Sequence, residues 1–213
     1  MKSNVKLVVL LVCGMFAGVA SAQQSKVQTG DIEQIQSGTG NTQALDLANV
    51  KGSGSSDVTI SGKVTQSQDG GMKNDQTMAI GNVEGDGSSI VQLKDVTQTQ
   101  GGTMNTQEMK LGNVQGGSGG KSDVVANSVT QGQQGQGNTQ KMGVGNATDG
   151  GDALVRAGNL KQTQEGTWNT QEMQIGNAVG SGASSSVRVG DVTQGQSGQG
   201  NTQRLNVGNA QNR

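Results

Sequence analysis

The chain has no histidine, no proline and no tyrosine, and only one cysteine, one phenylalanine and one tryptophan in 213 residues. Each absence removes a class of chemistry. Without histidine there is no general base titrating near neutrality and no imidazole to hold a metal. The single cysteine, Cys13, can form no disulfide within the chain and no thiolate cluster. With so few aromatics, no stacking surface for nucleobases can be built. Lys and Arg number 15 against 16 Asp and Glu, which is no basic footprint for nucleic acid. No pair of carboxylates recurs at a spacing suited to acid–base work, and Asp57, Asp95 and Asp191 read as solvated charges. This composition points away from an enzyme, and no cofactor or metal centre is expected.

Long hydrophobic runs are also missing beyond residue 22. Before it, Lys2 and Lys6 precede an apolar stretch over residues 8–12 with Phe16, and Ala20-Ser21-Ala22 follows. That is the pattern of a secretory signal peptide, too short for a membrane span, and it predicts a mature chain starting at Gln23. Lipidation at Cys13 is the alternative, but Val12 is an awkward residue before a lipidated cysteine. Cleavage after residue 22 leaves 191 of the 213 residues, with Trp168 the sole aromatic. Loss of Lys2 and Lys6 leaves 13 basic and 16 acidic side chains, a net charge of −3. The expected location is extracellular or at the cell surface, with no membrane span.

Glycine fills 37 positions, and Gln, Asn, Ser and Thr fill many others. Such a composition by itself suggests disorder. A strict period overrules it. Asn-Thr-Gln recurs at Asn41, Asn105, Asn138, Asn169 and Asn201, with Asn74-Asp75-Gln76 as a variant, at steps of 33, 31, 33, 31 and 32 residues. Six repeats of about 32 residues read as stacked units. The organisation is a signal at 1–22, an N-terminal segment at 23–31 and a six-repeat domain at 32–213.

Each repeat holds three extended segments. The first is Val-Thr-Gln-x-Gln at residues 64–68, 96–100, 129–133 and 192–196, with looser copies at 32–36 and 160–164. A glycine-containing turn leads to the second, which starts at the Asn anchor. Its alternation puts Asn105, Gln107, Met109, Leu111 and Asn113 on one face and Thr106, Glu108 and Lys110 on the other. A Gly/Ser loop precedes a weaker third segment, as at 58–60, 91–93 and 187–189. The expected fold is all-β: a β-solenoid or cross-β stack of six coils, one per repeat.

Stacked coils lie about 4.8 Å apart, so equivalent side chains form columns. Amides both donate and accept, and therefore suit such columns. Four columns are predicted to be stacking ladders: Gln36, Gln68, Gln100, Gln133, Gln164 and Gln196; Asn41, Asn74, Asn105, Asn138, Asn169 and Asn201; Gln43, Gln76, Gln107, Gln140, Gln171 and Gln203; and Asn49, Asn82, Asn113, Asn146, Asn177 and Asn209. Outward, Glu108, Lys141, Glu172 and Arg204 form a column of alternating sign. Trp168 falls between Gly137 and Gly200 in its column and is expected to pack in the turn between them. The inward Met column reads as core packing.

The motif Gln-x-Gly-x-Gly-Asn stands intact at 36–41, 133–138 and 196–201, and the other three repeats keep its Gln, a Gly and its Asn. In this the chain resembles the curlins, although its period is lengthened by the Gly/Ser loop and the third segment. The resemblance implies a homopolymeric, curli-like amyloid fibre of the biofilm matrix, supporting adhesion and aggregation. It also implies export through a dedicated outer-membrane pore and a nucleator subunit.

Other signals read more plainly. Gly85-Asp86-Gly87 and Gly150-Gly151-Asp152 lack a tandem aspartate pattern and read as turns, and residues 116–120 lack the following helix of a phosphate loop. The rival function is a monomeric solenoid that binds a surface, as an adhesin or on ice. The outward Thr42, Thr106, Thr139, Thr170 and Thr202 form one such column, but with charged or varied neighbours they give no flat two-column array.

Overall fold

The computed structural model describes residues 23–211 except 30, 52–53, 86, 116–119, 149–150, 181 and 209. The expected signal segment, Asp86, residues 116–119, Gly150 and the Asn209 end of the fourth ladder lie outside the described residues. Those described form 17 strands and no helix. All strand pairs are parallel and join each rung to the next one along the chain, as in a β-solenoid. No helix among them is long and apolar enough to cross a membrane.

The longest side of each coil is one strand. Gly54–Asp69, Gly87–Gln100, Lys121–Gln131, Asp152–Gln162 and Ser184–Gln194 stack in order, and Gln23–Thr29 with Ile32–Ser37 supplies the first rung. The weak third segment of one repeat and the Val-Thr-Gln segment of the next are therefore continuous. They meet at a corner where the inward parity slips: Val91 and Leu93 point in, and then Val96 and Gln98 do. The facing sheet contains Gln43–Leu47, Gln76–Ile80, Gln107–Leu111 and Gly143–Val144, continued by bridges from Gln140 to Gln171 to Gln203.

A third sheet stacks two-residue strands: Val50–Lys51, Val83–Glu84, Val114–Gln115, Ala147–Thr148, Ala178–Val179 and Ala210–Gln211. It lies where the sequence suggested only a Gly/Ser loop. Two-residue strands have no period to read, but the column of Val and Ala after each Asn was its trace.

The repeat steps of 31 to 33 residues do not disturb the columns. In the second coil one extra residue is absorbed at the corner, where the register shifts between Ile60 and Lys63. Inside, Val58, Val91, Val124 and Val155 face Met78, Met109, Met142 and Met173 and their aliphatic neighbours in one continuous core. Burying each such side chain contributes about 1.5–3 kcal/mol. The Met column is thus core.

Candidate functional site

The Asn anchors form an unbroken ladder. Asn74 Nδ2 donates to Asn41 Oδ1 at 3.3 Å, Asn105 to Asn74 at 3.0 Å, Asn138 to Asn105 at 3.0 Å, Asn169 to Asn138 at 3.1 Å and Asn201 to Asn169 at 2.9 Å. The amide also closes its own turn, as where Asn138 Nδ2 reaches Gln134 O at 2.6 Å. One side chain therefore fixes the turn within a coil and the register between coils.

The column from Gln43 to Gln203 is stacked and in register, but its hydrogen bonds run across the core rather than along the axis. Gln43 Nε2 donates to Gln34 O at 2.8 Å, Gln76 to Gln66 O at 3.1 Å and Gln107 to Gln98 O at 3.0 Å. Gln140, Gln171 and Gln203 repeat this on Gln131, Gln162 and Gln194. The partner glutamine answers: Gln98 Nε2 donates to Glu108 O at 3.3 Å and Gln162 Nε2 to Glu172 O at 2.9 Å. This middle Gln of Val-Thr-Gln-x-Gln was not among the predicted site residues. It also builds an axial ladder, Gln131 to Gln98, Gln162 to Gln131 and Gln194 to Gln162, each at 3.4 Å.

A second missed column is serine. Ser56, Ser89 and Ser122 are buried, and their hydroxyls donate to the carbonyls of Ala48, Gly81 and Gly112. Each bond closes the coil opposite the turn.

Two predicted columns behave differently from expectation. Gln68, Gln100, Gln133 and Gln164 are stacked and buried, yet neither amide atom of any has a hydrogen-bond partner, so this column is no bonded ladder. Asn49, Asn82, Asn113, Asn146 and Asn177 are exposed or half-buried, not inward as alternation suggests. The residue before them turns the chain: Gly81, Gly112 and Gly145 have φ of 64°, 62° and 50°, and the glycine, not the Asn, enters the core. These Asn still stack, because the backbone N–H of Asn82, Asn113 and Asn146 donates to the Oδ1 one coil back at 2.9, 3.0 and 3.1 Å.

On the outer faces, Glu108, Lys141 and Glu172 stack as expected, with Lys141 N donating to Gln107 O and Arg204 N to Gln171 O. The carboxylate of Glu108, however, pairs with Lys110 on its own strand at 2.8 Å. Trp168 is 60% exposed and does not pack within the turn. Its column is right, since a Cβ on Gly200 would lie 3.2 Å from Trp168 Cα, but a glycine has no side chain to cover the indole.

A hydroxyl face lies on the long strands, opposite the glutamines. Thr65, Thr97, Thr130 and Thr193 share one column, interrupted by Lys161, and Ser67, Thr99 and Thr163 line the next, interrupted by Gly132. Hydroxyls stand side by side in two columns at Thr65 with Ser67 and at Thr97 with Thr99, on a different sheet from the threonines after the Asn anchors.

The end of the stack is the least covered part. Leu205 and Val207 are 46% and 42% exposed, where their counterparts Met173 and Ile175 are fully buried. Ser184–Gln194 is paired along one edge only.

No family model, curated protein or solved structure matches this chain.

Proposed function

We propose that this chain is a secreted structural subunit, not an enzyme, which self-assembles end to end into curli-like amyloid fibres of the extracellular biofilm matrix. The observation that carries the reading is the sixth rung. It repeats the inward pattern of the five before it but leaves those side chains and one strand edge uncovered. An open edge is a template for another strand. The first rung of a second copy fits it column by column: Val27 over Val187, Ile32 over Val192, Gln34 over Gln194 and Asn41 over Asn201. The likeness to curlins in Gln-x-Gly-x-Gly-Asn supports the same reading. With it come a nucleator subunit, a dedicated outer-membrane pore, and a role in adhesion and aggregation.

The test is incubation of the mature chain, residues 23–213, at tens of micromolar with and without seeds. Unbranched fibres with a meridional reflection near 4.8 Å are expected. A chain that stays monomeric for days with seeds present overturns the proposal.

The hydroxyl face favours one second reading, a monomeric solenoid that binds ice or another ordered surface as an adhesin does. Its columns are spaced about 4.8 Å along the axis and roughly 7 Å across it. Thermal hysteresis from the monomer, lost in Thr97→Lys, would select that reading.

A further inference from the structure

We infer that the corner groove along the fifth and sixth coils binds a polymer bearing carboxylate groups, an acidic polysaccharide chain. Arg156 and Arg188 are in-register partners on neighbouring rungs, which sets them about 4.8 Å apart. Both are exposed. Like charges placed directly opposite on adjacent strands repel. Neither guanidinium has a hydrogen bond or ion pair among the described residues. The contrast with the alternating column of Glu108, Lys141, Glu172 and Arg204 is direct: there the signs compensate, and here they add.

The ground beside the pair is bare backbone. A Cβ on Gly158 would lie 2.3 Å from Asn127 O, and one on Gly190 would lie 2.4 Å from Gly158 O, so only glycine leaves this floor intact. The resulting groove has a volume of about 1000 Å³ and continues past Gln92, Lys94 and Asn127. The neighbouring carboxylate of Asp95 already accepts from Asn127 Nδ2 at 3.2 Å.

A planar guanidinium fork matches a carboxylate in two parallel bonds. Two forks one rung apart can hold one carboxylate between them or successive ones along a chain. The amide of Gln92 offers a donor and an acceptor for sugar hydroxyls. No aromatic lines the groove, so nucleobases would find nothing to stack on. That favours a polyuronate over a nucleic acid. The site lies within one molecule and does not depend on polymerisation.

The experiment titrates the full exported protein with polygalacturonate, neutral dextran and single-stranded DNA at fixed salt. The double variant Arg156→Gln/Arg188→Gln is compared with Lys121→Gln/Lys161→Gln, which removes the same charge from exposed positions outside the groove. Polygalacturonate is expected to bind, dextran not to bind, and the arginine variant to weaken polygalacturonate binding by roughly tenfold or more, as loss of charge-assisted bonds predicts. The lysine variant should change it less than about twofold, since exposed charges outside the contact contribute little. Equal weakening in both variants, no binding of polygalacturonate, or tighter binding of DNA overturns the assignment.

Discussion

Each polar atom of a glutamine left unbonded in an apolar core destabilises the fold by about 1–3 kcal/mol. Gln98 avoids this fully: its Nε2 donates to the Glu108 carbonyl and its Oε1 accepts from Gln131 in the next coil. Gln107 avoids it in part, its Nε2 on the Gln98 carbonyl and its Oε1 without a partner. Gln98→Ala and Gln107→Ala should each lower stability by roughly 1–3 kcal/mol. Thr106→Ala, on the outer face, should stay within about 0.5 kcal/mol. Urea denaturation midpoints of soluble protein decide this; equal damage from Thr106→Ala would mean that inside and outside are exchanged. Parity in the sequence already puts Gln107 inside with Met109 and Leu111. It could not reveal the clasp, because the acceptor is a backbone carbonyl, which has no residue identity to read. The exposure of Trp168 is illegible in the sequence for a related reason: periodicity finds the column, not the depth of the turn that carries it.

At the scale of the element, the second strand ends where a residue with positive φ lets the core close. A side chain on Gly112, at φ of 62°, would bring its Cβ to 2.4 Å from Val124 Cγ2. Gly112→Ala combines overpacking with a left-handed backbone unsuited to a Cβ, so a loss of about 1–3 kcal/mol is expected. Gly102→Ala is the matched control, because nothing lies within 4 Å of its Cβ position. Thermal melts of the two variants check the pair, and a melt unchanged by Gly112→Ala would show that the strand ends by some other means. The strands themselves were legible from alternation, and the six-coil stack from the Asn metre. The third sheet and the Ser56, Ser89 and Ser122 column were not, since two-residue strands and isolated serines carry no alternation.

For the whole molecule, one outward column decides how two copies would meet. Lys63, Asp95, Ser128, Asn159 and Asp191 stack in successive rungs. Asp31, whose Oδ1 accepts from Lys63 N at 3.0 Å, begins that column. A copy docked in continued register sets its Asp31 on Asp191 of the preceding one, the only like-charged pair between the two copies among the described residues of the long strands. Asp191→Asn should therefore shorten the assembly lag at low salt, and the difference should vanish as salt screens the pair. Lag times unchanged at low salt would mean that copies do not meet in this register. The sequence showed which residues form columns, but not which column bears a cost where two molecules join, because that depends on where the first rung begins.

Every rung runs in the same direction, and the hydrogen bonds between rungs lie along the stacking axis. A pull on the two ends therefore loads those bonds in tension, while only one covalent connection joins each coil to the next. When an end coil peels away, it frees 31 to 33 residues of chain, on the order of 100 Å of slack. The rung it vacates occupied about 4.8 Å. Stretched axially, the molecule is a stack of reels: it yields length in large discrete steps at nearly constant force, and a coil that lets go leaves its neighbours wound.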